Sequence, residues 1–193
     1  MKARVLIASV FVVLAGSAAA QEPLETSGVI NATLGGEQRV WHSVITEGPG
    51  VRVNTADWSH FDYGSEFYTF GISAYPGTDV TLDDVQTMEG RLELTFTVFG
   101  DLPTDCPCTV DASITYHSRD SITKDTYVND EVPVTLTEFR PVDETTFAIA
   151  GNFEGTLAYV MDALADPDPA NALEIAGSFE ATMEPSGNQL AGN

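Results

Sequence analysis

The sequence is poor in exactly the residues that most chemistry and many partners require: eight lysines and arginines, three histidines and two cysteines among 193 residues, against 29 aspartates and glutamates. With a formal charge of −21, the chain repels nucleic acid phosphates and anionic lipid surfaces, which argues against both as partners. The histidines, His42, His60 and His117, are scattered without a close-spaced pair, so a three-histidine zinc site has no pattern to support it and surface positions are expected. No G-x-S-x-G elbow occurs, and residue types alone do not make a Ser-His-Asp triad. A chain of this length buries a core without an obligatory disulfide staple.

Long hydrophobic runs are also lacking, with one exception. Lys2 and Arg4 precede the apolar run Val5 to Ala15, and small residues end in Ala18, Ala19 and Ala20. That is the pattern of a secretory signal peptide over 1–20, cleaved before Gln21. The run is too short to span a bilayer, and Ser17 stands where a lipoprotein signal would carry its cysteine, so no membrane anchor is expected. The expected product is a soluble periplasmic or extracellular chain. Lys124 is its one remaining lysine, while all 29 acids remain.

What is present in abundance is period-two alternation between turn residues. Leu92, Leu94, Phe96 and Val98 share one face of RLELTFTVF; Val110, Ala112, Ile114 and Tyr116 share one face of TVDASITYH; Val132, Val134 and Leu136 continue the theme. Gly35-Gly36 between GVINATL and EQRVWHSVIT marks a hairpin, because paired glycines accept the positive φ of a tight turn. IAGNFEGTL at 149–157 recurs as IAGSFEATM at 175–183, which predicts two adjacent antiparallel strands, too short a repeat for a solenoid. Their connector is expected to make a helical turn at 160–164, stopped by Asp166-Pro167 and Asp168-Pro169, and then a mobile acidic loop.

About nine strands result, near 28–34, 38–46, 50–54, 66–75, 90–99, 109–117, 131–139, 145–159 and 173–183. The fold class is all-β: an antiparallel β-sandwich of immunoglobulin-like or jelly-roll kind, with a small β-barrel as the alternative. One domain over 21–184 and a disordered tail over 185–193 are expected. An outer-membrane barrel would need a lipid-facing apolar band and aromatic girdles, which the pattern does not supply.

Two stretches invite function. Cys106-Pro-Cys108 puts two thiols on one face of an extended chain, where they would close a loop disulfide, remain free, or serve redox or soft-metal chemistry. The Cα separation for that spacing, about 5.5–7 Å, is at the edge of what a disulfide accepts. Asp101, Asp105 and Asp111 flank the pair without a basic residue, which disfavours a reactive thiolate. The loop disulfide is the leading reading. The second stretch, DWSHFDYGSEFYTFGISAY over 57–75, places Trp58, Phe61 and Tyr63 among Asp, Ser and Gly in an expected loop. An aromatic shelf beside carboxylates is suited to stacking a sugar ring or a protein side chain.

Calcium is the ion these oxygen-rich loops would favour, although neither the loop with Asp166, Asp168 and Asn171 nor NDEVP at 129–133 completes a known ligand pattern. Asn31-Ala-Thr33 is a glycosylation sequon by pattern. Glu154 and Glu180 hold matching places in the repeat and read as solvent-face charges. The signal segment, the Gly-Gly hairpin and the closing G-[NS]-F-E-[GA]-T strands together resemble small secreted bacterial β-domains of uncharacterised function. The likeness covers the two ends better than the middle and implies no activity. The expected function is therefore non-enzymatic binding of a glycan or protein by an exported acidic domain, with thiol-dependent redox or metal binding through Cys106 and Cys108 as the alternative.

Overall fold

A computed structural model of the chain describes residues 21–49, 51–121, 124–162 and 164–187. The signal segment and the tail from Asn188 lie outside the described residues. In chain order the elements are β1 (Glu25–Leu34), β2 (Glu37–Gly48), β3 (Val51–Asn54), β4 (Ala56–Asp62), β5 (Glu66–Pro76), the single-turn α1 (Leu82–Val85), β6 (Leu92–Phe99), β7 (Cys108–His117), β8 (Lys124–Pro141), β9 (Phe147–Asp162) and β10 (Asp168–Pro185). The all-β expectation holds. Among the described residues no helix is long and apolar enough to cross a membrane.

The ten strands form one hydrogen-bonded sheet. Antiparallel pairing runs from β1 through β2, β5, β6, β7, β8, β9 and β10 back to β1, a ring of eight strands. The β2–β5 seam is short, Trp41 opposite Pro76 and His42 opposite Tyr75. Beyond it Thr55 continues the link, its N–H donating to Val44 O and its carbonyl accepting from Ser73 N. β3 extends β2, and β4 fills the gap between β5 and the end of β10, where its pairing is parallel.

Each expected run of alternating residues is a strand whose apolar face lines the core. Leu92, Leu94, Phe96 and Val98 are buried, as are Ala112, Ile114, Val132, Val134 and Leu136. Inner-face residues of every ring strand join one cluster. Gly35 and Gly36 have φ of 57° and 87° and join β1 to β2 in the expected hairpin. The repeat forms β9 and β10 side by side, Gly151 opposite Phe179 and Phe153 opposite Gly177.

Three expectations differ. Residues 56–62 are a strand, not a loop, and raise the count to ten. Residues 160–162 continue β9 and β10 begins at Asp168, because pairing between the repeat arms carries the backbone on past the repeat; the turn comes later than expected, with Ala165 N–H donating to Asp162 O at 2.9 Å. Pro185, expected to open the tail, ends β10; Glu184 and Pro185 pair with Asp57 and Trp58, and Glu184 bridges Arg52 at 3.0 Å.

Candidate functional site

The register of β4, β5 and β6 stacks outward-facing residues in rows. Asp57, Gly71 and Thr95 make one row, Ser59, Thr69 and Thr97 the next, and Phe61, Phe67 and Phe99 the third. Because strand side chains alternate between faces, the intervening rows, such as Phe70 with Phe96, point into the core, where those two rings are buried. The outer face therefore presents a floor of hydroxyls and carboxylate ending in a rank of aromatic rings.

The rank is continuous. Phe61 and Phe67 stack at 5.0 Å between centroids and 21°, Phe67 meets Phe99 at 5.8 Å and 41°, and Tyr63 stacks on Phe61 at 6.1 Å and 24°. Tyr63 and Phe99, at its two ends, are 82% and 75% exposed. A shallow groove of about 470 Å³ lies over the floor, lined by Asp57, Ser59, Phe61, Thr69, Gly71, Glu93 and Thr95 among others. A second of about 560 Å³ continues past Thr95 along Thr97, Phe99, Thr109, Asp111, Ser113 and Asp130. None of the described residues lining either groove is a lysine or arginine.

The carboxylates of this face are electrostatically distinct. Burial pushes the Asp57 carboxyl above its ordinary value, since desolvation penalises the charged form. Burial acts in the same sense on Glu93, but the close polar contact with His117 and the charges of Arg91 and His117 outweigh it and hold Glu93 below its ordinary value. Arg91 pairs with Glu93 Oε1 through Nη2. His117, expected on the surface, is 2% exposed. Its Nε2 lies 3.4 Å from Glu93 Oε2, an ion-pair contact and not an aligned hydrogen bond, while Nδ1 faces Ser121 O at 3.3 Å.

Of the three aromatic residues expected to act together, the structure unites Phe61 and Tyr63 and separates Trp58. Positions 58 and 61 differ by three residues, so their side chains leave β4 on opposite faces. The Trp58 ring meets Phe147 edge-on at 5.3 Å and donates from Nε1 to Thr145 O at 2.8 Å. Phe67 and Phe99, which complete the rank, were legible as apolar residues at strand ends. What the sequence did not show was the register that aligns them.

The other histidines do not converge with His117. His42 Nδ1 lies 2.6 Å from Gly77 O, and His60 stacks on Tyr68 and pairs with Glu66 at 3.1 Å. Among the described residues no group of three or more His, Cys, Asp or Glu is placed to hold a metal ion. Asn129, in NDEVP, instead accepts from Glu131 N and donates to Thr156 O within β8 and β9. Glu154 and Glu180 are exposed in separate registers, opposite Ala176 and Ala150.

Cys106 and Cys108 are free thiols, not the expected loop disulfide. Their sulfurs are in contact at 3.0 Å. The Cys108 thiol is pushed up to about 11, by burial first and then by Cys106 beside it.

No family model, curated protein or solved structure matches the chain.

Proposed function

We propose that the chain is an exported, non-enzymatic β-domain that binds a glycan on the outer face of β4, β5 and β6. The observation that carries this reading is the rank Tyr63, Phe61, Phe67 and Phe99 standing beside a hydroxyl-lined groove. Flat apolar ring faces match the C–H faces of a pyranose, and Ser59, Thr69, Thr95 and Asp57 supply hydrogen-bonding groups for its hydroxyls. A groove with carboxylates and without a lining cation selects neutral or amino sugars over uronic or sulfated ones. Export rests on the N-terminal twenty residues and gives the site access to cell-wall or environmental glycans.

A glycan array on the purified chain, followed by titration of the best ligand, tests the reading. Phe61→Ala combined with Phe99→Ala should weaken binding at least about tenfold, or about 1.4 kcal/mol, with an unchanged far-UV circular dichroism spectrum. Trp58→Phe, on the opposite face, should leave affinity unchanged. Binding that ignores the double substitution removes the site, and capture of a protein in place of any glycan replaces the ligand class.

A further inference from the structure

We infer that Cys106 and Cys108 form a dithiol that closes to an intramolecular disulfide by exchange with an external disulfide. The connection between β6 and β7 carries the pair; Cys106 lies in the loop and Cys108 opens β7 opposite Leu136. Both side chains are half-buried against the edge of the core and both keep contact with solvent. The sulfurs, at 3.0 Å, need approach by only about 1 Å to reach the covalent distance of about 2.05 Å. A metal role fits less well. Two thiols leave a tetrahedral ion two ligands short, and among the described residues no third His, Cys, Asp or Glu completes a set.

The exchange balances with a low-molecular-weight disulfide, such as glutathione disulfide, as oxidant. One cysteine thiolate attacks a sulfur of the external disulfide, forming a mixed disulfide and expelling the first glutathione thiolate. The second cysteine attacks the protein sulfur of that mixed disulfide and expels the second. The protein loses two electrons, and the protons of its two thiols end on the two released glutathiones. Cys106 lies in the loop while Cys108 is fixed in β7 opposite Leu136, which places Cys106 for the first attack and leaves Cys108, whose thiol burial pushes up, to resolve it across the short gap.

The experiment uses the full chain purified under reductant and equilibrated in glutathione buffers of graded potential, then acid-quenched, alkylated and weighed intact. The expected result is a single two-electron transition to a species lighter by two hydrogens, with no alkylatable thiol and no accumulated glutathione adduct. Cys108→Ser should trap one glutathione on Cys106, located by peptide mapping, under buffers in which the wild type closes. Wild-type chain that stops at the mixed disulfide, links to a second copy, or stays alkylatable in the most oxidising buffer overturns the inference. A Cys108→Ser chain that takes up no glutathione overturns the assignment of Cys106 as the attacking thiol.

Discussion

Replacing Gly151 by alanine probes the interlock between the two copies of the repeat. A Cβ at this position would stand 2.8 Å from Cε1 and Cζ of Phe179 and 2.8 Å from the Thr135 carbonyl oxygen. Phe179 is 3% exposed and packed in the core, its ring stacked on Phe153; the Thr135 carbonyl is main chain within β8. Gly151 is not among the positive-φ glycines, so alanine brings no backbone strain and its whole effect comes from crowding set against reduced freedom of the unfolded chain. Overpacking costs about 1–3 kcal/mol, and the unfolded-state effect offsets about 0.4–1 kcal/mol. Because ring and main-chain carbonyl both crowd the Cβ at 2.8 Å, the overpacking falls in the upper half of that range, and a net loss of about 1–2.6 kcal/mol follows, equivalent to a fall in Tm of about 2–10 °C for a domain of this size. Urea denaturation followed by tryptophan fluorescence, on wild type, Gly151→Ala, Phe179→Ala and the double variant, reads the effect. If the ring is the obstacle, alanine costs less in the Phe179→Ala background; if the carbonyl is, the cost persists. Gly36→Ala is the control: nothing lies within 4 Å of its Cβ, but φ is +87°, so a loss of about 1–2 kcal/mol arises from the left-handed backbone and stays additive with Phe179→Ala. A Gly151→Ala chain as stable as the wild type refutes the interlock.

Glu93 is held below its ordinary value, so its contribution to stability is present above the unfolded carboxylate range and lost as pH falls through the lower, folded value. Glu93→Gln should therefore lower the urea midpoint at pH 7 and flatten its decline in acid; parallel pH profiles for variant and wild type would contradict this. Asp57 behaves oppositely. Its folded value is raised by burial, so the ionised group opposes folding once pH exceeds that value, and Asp57→Asn should raise the midpoint at pH 7 with the gain vanishing in acid. A variant no more stable than wild type at pH 7 would count against a desolvated Asp57. Phe96 is 2% exposed and Phe99 75% exposed, three residues apart on one strand; Phe96→Ala should cost about 3–5 kcal/mol and Phe99→Ala under about 1 kcal/mol. Equal losses in denaturant titrations would mean that the faces of β6 are wrongly assigned.

The strands of the core were readable because their faces separate cleanly by polarity. Leu92, Leu94, Phe96 and Val98 alternate with Glu93, Thr95 and Thr97 without exception, and one dry side and one wet side is all that period two needs. β4 hid because it breaks that rule. Its outer face carries Phe61 beside Asp57 and Ser59, while His60 sits with Ala56 and Trp58 on the side that faces inward. A strand with an apolar residue on the polar face and polar residues on the other has no alternation to detect, and Asp, Ser and Gly around it read as turn signals. His117 was misplaced for a related reason: alternation put it on the outer face, where Arg91 and Glu93 cover it. For Cys106 and Cys108, spacing limits the distance between Cα atoms, but the Sγ contact depends on rotamers and on the Pro107 turn.

The exception that concealed β4 is also what defines the candidate site. Phe61, Phe67 and Phe99 occupy one cross-strand row, where neighbouring rings interact directly, each pair contributing roughly 0.2–1 kcal/mol. That gain is small beside what full burial of an aromatic ring returns, about 1.5–3 kcal/mol, and Tyr63 and Phe99 forgo that burial almost entirely. The core has its own aromatic contacts, Phe70 with Phe96 at 5.1 Å and with Phe139 and Phe147 edge-on, so it does not need the outer rank. Fold stability thus accounts for the inner rows and leaves the outer one unexplained. An aligned set of ring faces left in solvent, beside hydroxyls and a desolvated carboxyl, is what the proposed glycan would cover, supplying the burial that the fold itself does not.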